Sequence, residues 1–277
     1  TYVPDDNFEQ ALVDLGYDSA VDDFVLTENI SGVTNLDVSQ KEISDLTGIE
    51  DFTALDHLDC GYNQLTSLDV SANTALTILE CGDNPLISLD VSMRPDLTHL
   101  NCRDTQLTSL DLSNNTALET LYFENNEFTS LDVSANTSLT VLGCTNNQLT
   151  SLDVSSNTAL ELLYANHNDL TSLDLSNNTA LTLIDCQSNQ LIHLNMKNGV
   201  TDQLATFNAT ANSLDCIEVN EEDVDWATEN WTYENGNIDE GVEFSVLCAP
   251  EGYTYVPDNN FEQTLVDLGY DTAVDDV

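Results

Sequence analysis

Positive charge is what this sequence has least of. Only 4 Lys and Arg stand against 50 Asp and Glu, a formal net charge of −46 over 277 residues. Phosphate backbones and anionic lipid surfaces repel such a chain wherever salt does not screen it, which excludes nucleic-acid partners. Long apolar runs are missing too. No stretch approaches the ~20 residues of a membrane helix, and residues 1–20 have neither the basic nor the apolar region of a signal peptide. Membrane insertion is therefore not expected. No HExxH, GxSxG, P-loop, GxGxxG or EF-hand pattern occurs, which removes the common motif grounds for an enzyme. With 41% hydrophobic residues the chain can still bury a core, so neither a disulfide knot nor an unfolded acidic tail fits.

What is present is repetition, at two scales. Residues 1–23, TYVPDDNFEQALVDLGYDSAVDD, recur at 254–276 with three differences, Asp6/Asn259, Ala11/Thr264 and Ser19/Thr272. A copy displaced by 253 residues reads as one whole module followed by the start of the next, residues 254–277, in a tandem array. Such an array makes end-to-end contact with a neighbouring module an expectation. Each copy reads as a short helix: Pro4 and Asp5/Asp6 open it, Phe8, Leu12, Val13 and Leu15 give it an apolar stripe, and Gly16 stops it. Residues 1–32 are expected to form an N-terminal helical cap.

Between the copies the period is 21 residues. LTHLNCRDTQLTSLDLSNNTA (97–117), LETLYFENNEFTSLDVSANTS (118–138) and LTVLGCTNNQLTSLDVSSNTA (139–159) align without gaps, and related segments extend the register from 33 to 201. After a two-residue insertion Phe207, Ala209, Asn212, Leu214 and Ile217 reoccupy the same slots. The alternating segment around each L-x-C predicts a strand whose even positions point inward. Leu58, Leu79, Leu100, Leu121, Leu142, Leu163 and Ile184 then make one buried row. Cys60, Cys81, Cys102, Phe123, Cys144, Ala165 and Cys186 make the next, a slot that accepts thiol, ring or methyl and so asks for apolar filling. A column of Asn63, Asn84, Asn126, Asn147, Asn168, Asn189 and Asn212 follows, able to satisfy backbone groups at the bend. Lys41 and Thr105 interrupt it, and those rungs should be held less tightly.

The L-x-x-L-x-[LC]-x-x-N-x-L signature resembles that of the leucine-rich repeat family. Its LTSLDVSxNTA half is similar to repeats in surface proteins of gliding and marine Bacteroidetes, and ISDLTGIEDFTAL (43–55) resembles the internalin-like class. The resemblance implies a right-handed, β-dominated α/β superhelix over residues 33–219, about nine rungs, with a parallel concave sheet and a C-terminal cap at 220–253. Family caps often carry a disulfide. Cys216 and Cys248 lie off the column, near Trp226, Trp231 and Phe244, and are expected to bridge and close the cap, in keeping with an extracellular or cell-surface location.

The H-x-x-C pairs at His57/Cys60 and His99/Cys102 place their side chains on opposite faces of a strand and do not chelate. Asp59 and Glu80 occupy one outward slot on neighbouring rungs, at about the ~5 Å of a retaining glycosidase, but nothing suggests a cleft that excludes water. The column Asp69, Asp90, Asp111, Asp132, Asp153 and Asp174 must be answered by backbone N–H groups, by Ser hydroxyls or by cations; Asp83 and Asp104 form a second possible place for Ca²⁺. Turn chemistry accounts equally for Thr66, Thr108, Thr129, Thr150 and Thr171, so ice binding is not needed to explain them.

On the outward strand positions, Tyr122, Val141, Leu162, Tyr164 and Leu183 are expected to form an apolar, aromatic patch with a notch at Gly143, and Arg103 is the one basic residue on that face. Arg94 is assigned to the opposite side as a local lip. Such a surface predicts a non-enzymatic binding or adhesion module for a protein or polysaccharide. A passive spacer and a calcium-rigidified array are the alternatives.

Overall fold

A coil of 21 residues has too few side chains to enclose a core, so its leucines stay wet until the next coil covers them. The computed structural model, which describes residues 1–248 together with positions 263, 265, 266 and 268, realises that stacking as a parallel solenoid. Its strands are three residues each: β1 (Asn35–Asp37), β2 (His57–Asp59), β3 (Ile78–Glu80), β4 (His99–Asn101), β5 (Thr120–Tyr122), β6 (Val141–Gly143), β7 (Leu162–Tyr164), β8 (Ser172–Asp174), β9 (Leu183–Asp185), β10 (His193–Asn195), β11 (Thr206–Asn208), β12 (Cys216–Glu218) and β13 (Glu243–Ser245). The first seven join β9 and β11 in a nine-stranded sheet. Register pairs Leu58 with Leu79, Leu79 with Leu100 and so on to Ile184, then Ile184 with Phe207, the step that absorbs the two extra residues. Every member of the Leu and Cys rows named above is fully buried.

A second parallel sheet, β13-β12-β10-β8, was not anticipated. It forms on the Ser-Leu-Asp half of the last coils, where the out-in-out alternation of a strand is also present. That half is irregular in the earlier coils.

Two ladders of side-chain amides tie the coils together. In the first, Asn84 donates through Nδ2 to the Cys60 carbonyl of the preceding coil (3.0 Å) and to Cys81 O of its own (3.1 Å), while its Oδ1 accepts from Leu65 N (3.0 Å). Asn126, Asn147, Asn168, Asn189 and Asn212 repeat the scheme. Asn63 serves both Lys41 N and Ile43 N. At the Thr105 rung the hydroxyl reaches Cys102 O and Asn126 Oδ1, but nothing from position 105 reaches Cys81 O, and Leu86 N turns to Asn84 O in its own turn.

The second ladder lies at the Asn of S-x-N-T and was not read from the sequence. Asn73, Asn115, Asn136, Asn157 and Asn178 have no exposed surface. Asn157 Nδ2 donates to Val133 O (3.0 Å) and Asn136 O (2.8 Å), and the others do the same one coil apart. In all five the Oδ1 has no partner, so this position demands donors only. Arg94 occupies the same column. It is no surface lip: it is 2% exposed, and its Nε and Nη2 donate to Val70 O (3.1 and 2.8 Å), with further donation to Ser71 O and Met93 O. A guanidinium carries donors and no acceptor, which is why it can stand in for a carboxamide here.

The caps close both ends of the column. Helix α1 (Asp6–Asp14) is capped by Asp5, whose Oδ1 accepts from Asn7 N and Phe8 N while its Oδ2 accepts from Ser44 N, Ser44 Oγ and Asp45 N of the first coil. One carboxylate thus starts the helix and fastens it. The buried face is Phe8, Glu9, Ala11 and Leu12, whereas Leu15, expected in the stripe, is 46% exposed. Short helix α2 (Thr27–Ile30) leads into β1. At the other end α3 (Val224–Asn230) precedes Trp231, which stacks on Phe207 at 4.0 Å and packs near Trp226 and Phe244. The expected Cys216–Cys248 disulfide is present. Apart from four isolated positions, the tandem segment 254–277 lies outside the described residues.

Two substitutions test the ladders. Thr105→Asn should restore the missing donor to Cys81 O and acceptor for Leu86 N, stabilising the chain by about 1 kcal/mol in denaturant melts. Arg94→Ala should cost about 2–4 kcal/mol by orphaning buried carbonyls, while Arg94→Asn should recover most of that loss.

Candidate binding surface on the nine-stranded sheet

The outward residues of β3 to β9 lie one strand spacing apart, so each column is a row of neighbours. Val141, Leu162 and Leu183 are adjacent in register and half-buried; beside them run Tyr122, Gly143, Tyr164 and Asp185. These five apolar and aromatic side chains are therefore brought together on one face. A cleft of about 600 Å³ opens next to them, lined by Glu80, His99, Arg103, Tyr122, Glu124 and Tyr164 among others.

The expected notch at Gly143 is filled. A Cβ there would fall 2.1 Å from Glu124 Oε1 and 2.6 Å from Tyr122 Cδ1, so the missing side chain is what lets the Glu124 carboxyl lie in the sheet face between the tyrosines. Glu124, which sequence reasoning passed over, is half-buried, and its Oε2 is shielded from solvent without a partner. Burial pushes its carboxyl above the usual range, with Asp104 adding to the rise and its own backbone N–H and Arg103 opposing it. Burial, then Glu124, Tyr164 and Glu80, raise the Tyr122 phenol. The only signal that could have found Glu124 was the coincidence of a glycine with a long acid one coil earlier.

Neighbouring groups are engaged. Glu80 Oε1 lies 2.7 Å from His99 Nε2 and Oε2 accepts from Asn101 Nδ2 at 2.7 Å; burial works against ionisation, but these bonds outweigh it and hold Glu80 below its usual range. Asp59, paired in register with Glu80, is shifted up by burial, with Asp37 and Glu80 adding to the effect. The His99 ring meets Tyr122 edge-on at 6.1 Å. Arg103 lines the cleft but turns away from the patch: Nη2 donates to Tyr62 Oη (2.6 Å), and Nε lies 3.4 Å from Asp83 and 3.9 Å from Asp104. Between those two carboxylates the guanidinium supplies the positive charge.

The outer Asp column is answered by backbone. Ser71 N donates to Asp69 Oδ1 at 2.8 Å, and Ser92, Ser113, Ser134, Ser155 and Ser176 repeat the turn on Asp90, Asp111, Asp132, Asp153 and Asp174. Serine hydroxyls and these N–H groups lower Asp69, Asp90, Asp111, Asp132 and Asp153. The five column cysteines are free thiols; burial pushes Cys102 and Cys186 up to about 12 and raises Cys60, Cys81 and Cys144 as well, so they pack as apolar groups.

The pH dependence of Glu124 follows from its sign. A carboxyl raised in the folded state costs stability above its folded pKa and nothing below its unfolded one. Glu124→Gln should therefore raise Tm at pH 7 by on the order of 2 °C, and the gain should vanish as pH falls through the usual carboxylate range, as calorimetry at pH 7 and pH 3.5 would register.

No family model matches the chain. Over 73 residues, 26% of this chain and 8% of the other protein, it is 39% identical to Internalin J of Listeria monocytogenes. The solved functional domain of InlJ from that species, which includes a cysteine ladder, is similar at TM-score 0.71 and 36% identity, over 78% of this chain and 50% of that one. Internalin C2 of the same species shares the fold, at TM-score 0.59 and 21% identity, over 88% of this chain and 95% of that one. The chain thus spans half the InlJ domain and a small part of Internalin J itself. In this chain Cys60, Cys81, Cys102, Cys144 and Cys186 are buried free thiols that recur in one column. The repeats and these relatives support an internalin-like leucine-rich repeat module of the bacterial type.

Proposed function

We propose that this module is a non-enzymatic, extracellular binding unit that takes a protein partner on the outer face of its nine-stranded sheet. The observation that carries this reading is the row Val141, Leu162 and Leu183 beside Tyr122 and Tyr164, half-exposed next to a cleft on a face that also carries Asp59, Glu80, Glu124 and Asp185. Aromatic groups fixed on a rigid sheet lose little freedom on binding and supply large contact area, the character of interface anchors. Internalin-like repeats are commonly protein-binding modules, which agrees with it. Both oxygens of Glu80 are tied to neighbours, which speaks against its serving as a catalytic carboxylate with Asp59. The disulfide suits an oxidising compartment. Among the described residues no helix is long and apolar enough to cross a membrane.

One observation favours a second reading, a spacer that projects other domains: the near-identical recurrence of residues 1–23 at 254–276. The two separate on the double variant Tyr122→Ala/Tyr164→Ala. Screened against surface-protein and glycan arrays, the binding module should lose affinity for its partner by on the order of 10-fold or more. A wild-type chain that binds nothing, or a variant that binds as well, selects the spacer, and a glycan hit in place of a protein reassigns the partner.

A further inference from the structure

Glu9 stands on the buried face of α1 with no exposed surface, among Phe8, Ala11 and Leu12. An ionised carboxylate withdrawn from water is costly unless it is paired. No pairing residue is at hand: the chain's Lys and Arg are Lys41, Arg94, Arg103 and Lys197, none of them in the cap, and Arg94, Arg103 and Lys197 are engaged elsewhere. Glu9 Oε2 accepts one bond, from Asp23 N at 2.9 Å; Oε1 has no partner. After α1 the chain turns back at Gly16 (φ +84°), with Tyr17 N bonded to Leu12 O, and lays residues 18–22 over Glu9. Asp18 Oδ1 accepts from Ser19 N, but its Oδ2 is buried and unpartnered as well. One oxygen each from Glu9, Asp18 and Asp22 then lie within 4.8 Å of one another. Three carboxylates therefore lie close together, and two of them, Glu9 and Asp18, each carry a buried oxygen with no hydrogen-bond donor.

We propose that this cluster is a calcium site of the N-terminal cap, ligated by Glu9, Asp18 and Asp22. The donor set is all oxygen, which selects a hard cation over zinc, and an irregular carboxylate cluster suits the flexible six-to-eight coordination of Ca²⁺ better than the strict octahedron of Mg²⁺. Asp22 is exposed, so water can complete the shell on that side. The sequence repeats the set: Glu262, Asp271 and Asp275 stand at the matching positions of the second copy, where Asp6 has become Asn259. The ion would bind the 18–22 turn to α1, and through Asp5 and Ser44 that helix is fastened to the first coil. The site is independent of the sheet-face surface.

Melting and calorimetric titration of the EDTA-treated full chain, in a Glu262→Gln/Asp275→Asn background that silences the second copy, test the proposal. Calcium should raise Tm by on the order of 5 °C. Glu9→Gln and Asp22→Asn should each abolish that rise and one binding event. In EDTA, Glu9→Gln should melt at or above the parent, because it removes one of three crowded carboxyl groups, with a buried oxygen that has no donor. Asp22→Asn alters an exposed residue and keeps the test intact if Glu9→Gln fails to fold. No calcium-dependent shift, a shift that survives both substitutions, or an equal shift with magnesium alone would overturn the assignment.

Discussion

Every coil of this solenoid turns backbone carbonyls into a dry interior, and the whole structure depends on finding donors for them. Leucine stacking supplies the driving force, but apolar burial is indifferent to register and leaves the bends unpaired. Side-chain amides lent by the next coil solve both problems: Asn84 reaches Cys60 O, Asn126 reaches Cys102 O, and on the far side Asn157 reaches Val133 O. Because each bond spans about one repeat, a slip by one residue would strand a whole column. The two ladders differ in kind. The first uses donor and acceptor together and tolerates Thr105 only by giving up contacts; the second uses donors alone and accepts Arg94 outright.

That rigid lattice is what gives the surface meaning. With the inner rows locked, outward side chains have little choice of neighbour, so Val141, Leu162 and Leu183 form a strip and Tyr122 and Tyr164 flank Gly143. The same lattice forces acids together. On the outer turns each Asp is answered by a Ser N–H two residues on, and at Asp83 and Asp104 by Arg103. Glu124, Glu9 and Asp18 are the exceptions, each with one carboxyl oxygen that is shielded and has no partner.

The fold was legible because periodicity is a long-range signal carried by many residues: the strand column, the inner rows, the cap helix and its Asp5 entry all followed from spacing, and the disulfide from family resemblance. Less of the candidate site was. The patch residues do share a face, as register required, but the space at Gly143 is filled by Glu124, since a glycine in the column says only that a side chain is missing and not which neighbour fills the space. Arg94, in the SMRPD stretch that replaces the common SxNTA, reads as a convex lip by sequence; its column identity with Asn73 and Asn115 puts it inside instead. Glu9 was hidden as well. The α1 stripe was drawn through Leu15, and rotating it to Phe8, Ala11 and Leu12 carried an acid inside.

The most direct test of the ladder account is native-state amide hydrogen exchange resolved by residue. Leu65, Leu107, Phe128, Leu149 and Leu170 donate their N–H groups to ladder Asn Oδ1 atoms of the following coil, whereas Leu86 N, opposite Thr105, is bonded only within its own turn. Slow exchange at the first five and markedly faster exchange at Leu86 is the predicted result. Equal protection at Leu86, or rapid exchange along the whole series, would show that the amide ladder does not hold the coils together.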